Sequence, residues 1–148
     1  MSSTAERPWL KHYPARIAAD IEVADDANLA QLLEEAFANY ADRVAFHCSG
    51  TDLTYRELDR LSMAFAVHLA RHWFKRGDRF ALMMPNVLQY PIALMGCLRL
   101  GLTVVNCNPL YTERELEHQL RDSGAKGIVV IENFASVLEK VVARTPVK

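Results

Sequence analysis

From residue 29 onward the apolar positions fall three and four apart. Leu29, Leu32, Leu33, Ala36, Phe37 and Tyr40 share one face of a predicted helix, and Asn28 stands where its side chain can cap the first turn. The pattern then changes. Residues 43–48 read as a strand, Ser49-Gly50-Thr51-Asp52 as a turn and Leu53 as the start of a return strand, which predicts a hairpin. Thr54-Tyr55-Arg56-Glu57 has the spacing of a capping box, in which the threonine oxygen and the glutamate carboxylate each take up a free backbone N–H. Leu58, Leu61, Phe65 and Leu69 carry the buried stripe of the helix that follows, and Gly77-Asp78 turns the chain.

Three further pairs of elements come next. Residues 79–84 are an apolar strand broken by Pro85-Asn86, and 87–100 read as a helix with Gly101 placed to close it. Residues 102–107 are a nearly continuous apolar run, suited to a strand covered on both faces, and Pro109 ends it. Thr112-Glu113-Arg114-Glu115 is a second capping box, opening a helix that stops at Gly124. Residues 127–131 read as another buried strand and 133–143 as a last amphipathic helix. Strands alternating with helices in this order need crossover connections. The expected fold is therefore α/β, a layered, doubly wound sheet with helices on both faces. Residues 1–27 read as an arm: Pro8 and Pro14 interrupt any helix, and Trp9, Leu10, Tyr13 and Ile17 offer anchors for an extended segment lying on the body.

At 148 residues the chain has the size of one domain. A formal net charge of −1 argues against a nucleic-acid partner, which needs a clustered basic surface. The densest basic stretch is Arg71, Lys75, Arg76 and Arg79. It reads first as a solvated helix end and turn, and second as a contact for an anion or a membrane surface. Cys48, Cys97 and Cys107 are odd in number, far apart and without a CxxC, which predicts free thiols in a reducing cytoplasm. The first 20 residues lack the apolar core of a signal peptide. The longest apolar stretch, 92–105, is broken by Arg99 and falls short of the roughly 20 residues that span a bilayer. A cytoplasmic protein is expected, with peripheral contact at the inner face of the membrane left open.

Candidate chemistry is sparse. Gly96 and Gly101 have the glycine spacing of a phosphate-binding loop, but Leu102 stands where its lysine belongs, and here a helix leads into a strand rather than the reverse. His68 and His72 lie four apart on a helix without a third ligand. His118 sits among glutamates without a nucleophile, which favours an ordinary surface histidine over a general base. There is no GxSxG elbow, and the carboxylate pairs Asp25-Asp26 and Glu34-Glu35 are adjacent, so they do not converge on one point. No catalytic machinery and no metal site can be read from the residues.

Several segments together carry a resemblance. Leu53-Thr54-Tyr55-Arg56-Glu57-Leu58 resembles the LTYxEL motif of adenylate-forming enzymes. Gly77-Asp78-Arg79 followed by Pro85-Asn86 resembles that family's GDRVAxxxPN strand and loop, and Leu98 to Asn106 resembles its LKAGxxxVPxN motif. More narrowly, Val105-Asn106-Cys107-Asn108-Pro109-Leu110-Tyr111-Thr112, Glu115-Leu116-Glu117-His118-Gln119-Leu120 and Asp122-Ser123-Gly124-Ala125-Lys126 are similar to the NxNPLYTxRELEHQLxDSGAK block of bacterial long-chain fatty-acid–CoA ligases.

The resemblance implies an incomplete N-terminal subdomain of the adenylate-forming ligase fold, with residues 28–148 as part of an AMP-binding domain. It implies a two-step reaction in which ATP and a fatty acid give an acyl-adenylate and pyrophosphate, and coenzyme A then displaces AMP, with Mg2+ neutralising phosphate charge. The phosphate loop, the adenine and ribose contacts, the magnesium-binding glutamate and the C-terminal lysine of such enzymes are expected beyond Lys148. This chain alone is therefore expected to bind none of the three cofactors and to be inactive. By the same resemblance Asn106, Asn108 and Pro109 lie near the coenzyme A tunnel, although loop stabilisation explains them as well. Two alternatives stay open: a non-catalytic module that pairs with itself or a homologue, and a ligase for medium-chain or aryl acids.

Overall fold

A computed structural model describes residues 7–22 and 28–148. Helix α1 (Leu29–Tyr40) opens with the Asn28 side chain accepting a hydrogen bond from the backbone N of Gln31. Strands β1 (Val44–Cys48) and β2 (Thr51–Thr54) form the antiparallel hairpin, turning through Ser49 and Gly50, both at positive φ. Helix α2 (Tyr55–Arg71) starts at the predicted capping box: Thr54 accepts from the backbone of Glu57, and the Glu57 carboxylate accepts from the backbone of Thr54. Phe37, Leu53 and Leu58 are buried together against Leu88, Ile92 and Met95, which fixes α1 and the hairpin to the layer below.

Three parallel strands, β3 (Arg79–Met83), β4 (Thr103–Asn106) and β5 (Gly127–Val130), stand in the order β4-β3-β5. Helix α3 (Gln89–Arg99) carries the chain from β3 to β4. Helix α4 (Glu113–Ser123) carries it from β4 across to β5. Side chains alternate along β3. Phe80, Leu82 and Met84 pack with Leu69, Ala93, Cys97 and Leu102 on the α2–α3 face. Ala81 and Met83 pack with Leu116, Leu120 and Val141 on the face of α4 and of the short helix α5 (Ala135–Glu139). Helices cover both faces, so the doubly wound arrangement holds. Gly96 lets α2 and α3 meet closely: a Cβ there would lie 2.9 Å from the Ser62 carbonyl oxygen and 2.8 Å from the Phe65 ring.

The structure departs from the sequence pattern in four places. Strand β4 is half-buried rather than covered on both faces, with Thr103 and Asn106 exposed, because it is an edge strand. Only part of the α1 stripe is used: Phe37 is buried, while Leu29 and Leu32 are each about 60% exposed. The last helix is broken into a 3-10 turn at Glu132–Phe134, the five residues of α5 and a second 3-10 turn at Val142–Arg144. At the end of α5 the Arg144 guanidinium donates to the Lys140 carbonyl that a continuing helix would use. In the N-terminal segment Pro8–His12 is a 3-10 turn rather than extended, and Trp9, Tyr13 and Ile17 remain exposed. The rest of the predicted arm, 1–6 and 23–27, lies outside the described residues.

Candidate functional site at the carboxyl ends of the strands

Because β3, β4 and β5 are parallel, the loops that follow them emerge at one end of the sheet. The chain leaves β3 toward the α3 face and leaves β4 toward the α4 face. Connections that diverge in this way open a crevice beyond the carboxyl ends of the strands, the usual place for a ligand in such sheets. Residues 84–88 follow β3 and residues 107–112 follow β4 at that end of the sheet.

Asn106 closes β4 and is exposed. Its Oδ1 accepts a hydrogen bond of 2.8 Å from the Tyr90 hydroxyl, which reaches across from the first turn of α3. This bond links α3 to β4. It leaves the amide Nδ2 without a protein partner among the described residues, available to a polar ligand group. Asn108 is used differently. Its Oδ1 accepts from the Leu110 backbone N at 3.0 Å and its carbonyl oxygen from the Tyr111 N at 3.0 Å, so side chain and backbone together make a turn with half-buried Pro109 inside it. The Thr112 capping box follows at once and starts α4. Asn108 and Pro109 thus shape the loop after β4, and Asn106 is the member that presents donors.

Tyr90 was not singled out by sequence reading. It lies sixteen residues before its partner, and nothing local marks a tyrosine in a helical first turn as a donor to the next strand. The hairpin also borders this end of the sheet, where the Cys48 thiol lies 3.4 Å from the Asn86 carbonyl oxygen.

The crevice holds no reactive group. Cys107 lies between the two asparagines, but burial raises its thiol to about 11, and burial raises Cys97 to about 12. Neither supplies a thiolate near neutral pH. No cluster of three or more histidine, cysteine, aspartate or glutamate side chains is arranged for a metal ion among the described residues. The His68 and His72 rings lie tilted against each other at the exposed end of α2, where His72 Nδ1 is bonded to the His68 carbonyl oxygen. His118 is exposed on α4. The arrangement can hold and orient a polar group. It has no means of its own to activate one.

A second concavity, of about 560 Å³, lies at the other end of the molecule, by the amino ends of β3 and β5. Phe65, Leu69, Phe74, Phe80 and Val147 give it apolar walls. Asp78 sits at its edge, held by Lys126 Nζ at 2.6 Å and by the Lys75 backbone N at 3.1 Å. The groove runs along the outer edge of β5, which has no strand partner among the described residues. Lys148 donates its backbone N to the Lys126 carbonyl oxygen just before that edge.

The chain is similar to several known proteins. A long-chain-fatty-acid–CoA ligase of Yersinia pestis is 54% identical over 144 residues, which is 97% of this chain and 26% of the relative. A solved anthranilate CoA ligase matches with a TM-score of 0.77 at 22% identity, over 81% of this chain and 23% of that one. A solved long-chain-fatty-acid–CoA ligase from Archaeoglobus fulgidus matches with a TM-score of 0.73 at 24% identity, over 80% and 25%. At these identities the two structures speak for the fold alone. The chain spans about a quarter of the length of the relatives it matches. Residues 33–148 match the family described as AMP-binding enzyme, and the chain belongs to that family.

Proposed function

We propose that the native polypeptide carrying this chain is a long-chain fatty-acid–CoA ligase, and that residues 28–148 are the first part of its AMP-binding domain, preceded by an arm at 1–27. The observation that carries the reading is the identity of more than half with a long-chain ligase over nearly the whole chain. In this reading ATP and the fatty acid give an acyl-adenylate and pyrophosphate, and the coenzyme A thiolate displaces AMP. Mg2+, where bound, neutralises phosphate charge. The residues described here do not fit a magnesium site, so no step is assigned to the ion through them. Asn106, Asn108 and Pro109 are proposed to form one wall of the coenzyme A tunnel, with Tyr90 holding the Asn106 amide so that its N–H donors face a passing chain. Chemistry at the reacting carboxylate is assigned to none of these residues.

The substrate is an amphiphile, so the protein is proposed to work in the cytoplasm, in contact with the inner face of a membrane. Among the described residues no helix is long and apolar enough to cross one. Exposed Met63 and Val67 of α2, which line one hollow with Ala30 of α1, favour a second proposal, self-association through that surface. Acyl-CoA formation by the native polypeptide with palmitate, octanoate and benzoate tests the substrate class. A clear preference for palmitate is expected, and a preference for benzoate overturns the long-chain reading.

A further inference from the structure

Helix α2 ends in a Schellman motif. The Phe74 N–H bonds to the Leu69 carbonyl and the Trp73 N–H to the Ala70 carbonyl, with Leu69 and Phe74 in one apolar cluster. The residue at the left-handed position of this motif is commonly glycine, because a Cβ there crowds the backbone. Here it is Trp73, at φ 69°. Trp73 is 91% exposed, the most exposed large apolar residue among those described, and it stands on the rim of the concavity at the amino ends of β3 and β5. A strained backbone that presents a bare indole to solvent points to a function rather than to folding.

The surroundings indicate what meets it. Arg71, His72, Lys75, Arg76 and Arg79 lie within six residues of Trp73, and all are exposed. None of these five forms an ion pair among the described residues. The one carboxylate in the turn, Asp78, is already held by Lys126 and the Lys75 backbone. The Arg76 stem lies across Gly101 and the Arg79 guanidinium beside Gly124, so these two cations are spread over neighbouring elements, while Arg71 and Lys75 stand two residues to either side of Trp73 in the chain. A bare tryptophan among unpaired cations suits the headgroup layer of an anionic membrane: the indole sits at the interface and the cations meet lipid phosphates. A nucleic acid would need a longer basic track than this single turn on a chain of net charge −1.

We infer that the turn after α2, with Trp73 at its tip and Arg71 and Lys75 beside it, is the site that docks this protein on an anionic bilayer. It rests on the bilayer contact proposed above and not on the ligase activity. Docked there, the protein meets the membrane with the amino ends of its strands, and the crevice at the carboxyl ends stays open to soluble ligands.

The test is co-sedimentation of the native polypeptide with vesicles of phosphatidylglycerol and phosphatidylcholine in equal parts, against vesicles of phosphatidylcholine alone. Binding is expected to the anionic vesicles only, and to fall as salt is raised. Trp73→Gly relieves the positive φ, so it folds at least as well as the parent, and it is expected to weaken binding about tenfold. Arg71→Gln with Lys75→Gln is expected to weaken it about 30-fold, at about tenfold per 1.4 kcal/mol and about 1 kcal/mol for each cation. Anionic binding that both variants retain in full overturns the inference but keeps the bilayer contact. No vesicle binding by the parent overturns both. A change of oligomeric mass in Trp73→Gly without vesicle binding assigns the turn to a second protein chain and likewise overturns it.

Discussion

Asp78 shows how much one side chain can fix. It is nearly buried at the head of β3, and its carboxylate takes a hydrogen bond from Lys126, just before β5, and another from the backbone of Lys75 in the preceding turn. The Lys126 hydrogen bond is the main reason its pKa lies below the ordinary value of 3.8. Glu57 and Glu115 are lowered too, each by the threonine of its own capping box. A carboxylate whose pKa is depressed by folding stabilises the fold fully above its unfolded value, and that contribution is lost as pH falls through the folded value. The fold should therefore weaken in acid from about pH 4 downward. Asp78→Asn keeps an acceptor for the Lys75 N–H but removes the charge facing Lys126. Urea melts at neutral pH and near pH 3 should show the variant weakened at neutral pH and less sensitive to acid than its parent. Equal pH dependence in the two would contradict this role.

These residue-scale features were legible where they are local. Thr54, Thr112 and Gly124 announce helix ends within four residues of themselves, and the structure uses all three as read. Trp73 was not legible, because a left-handed tryptophan goes against the rule by which such positions are recognised. The Tyr90–Asn106 bond was missed for another reason: it depends on the first turn of α3 meeting the end of β4, sixteen residues away in the chain.

At the scale of elements, packing is arranged around α3. Gly96 lets α2 approach it, and Arg99 near its end ties down two neighbours at once. The Arg99 side chain is only 7% exposed, pairs with Glu34 of α1 and Asp59 of α2, and stands 4.9 Å from the centre of the Phe37 ring. Its Nε is buried without a partner, which offsets part of what the pairs contribute. Both carboxylates stay partly solvated, so losing the cation strands neither of them in the core. Arg99→Ala should cost about 2 kcal/mol, chiefly through the packing lost on Phe37. Arg99→Met keeps that packing, removes the orphaned nitrogen and should fall within about 1 kcal/mol of the parent. Denaturant titration of the two variants separates packing from charge, and a methionine variant as weak as the alanine one would assign the stability to the ion pairs. The strand–helix alternation was legible from periodicity. How deeply each element is buried was not, because that depends on strand order: β3 lies between its neighbours and is buried, whereas β4 lies at the edge and is half-buried.

At the scale of the molecule, one end of the sheet carries the crevice with Asn106 and Tyr90, and the opposite end carries Trp73 and its cations. Among the described residues no group of three or more histidine, cysteine, aspartate or glutamate side chains is arranged for a metal ion, and burial keeps the Cys97 and Cys107 thiols protonated. The motifs that carried the resemblance are for the most part structural: caps, turns and close helix contacts. This explains how they could identify the family while leaving the reacting groups unread. The most direct test is fatty-acid-dependent ATP–pyrophosphate exchange, measured side by side on the native polypeptide and on residues 1–148 alone. Exchange by the native polypeptide with long-chain acids, and none by residues 1–148, is the expected result. Exchange by residues 1–148 alone, or none by the native polypeptide with any fatty acid, would contradict the account.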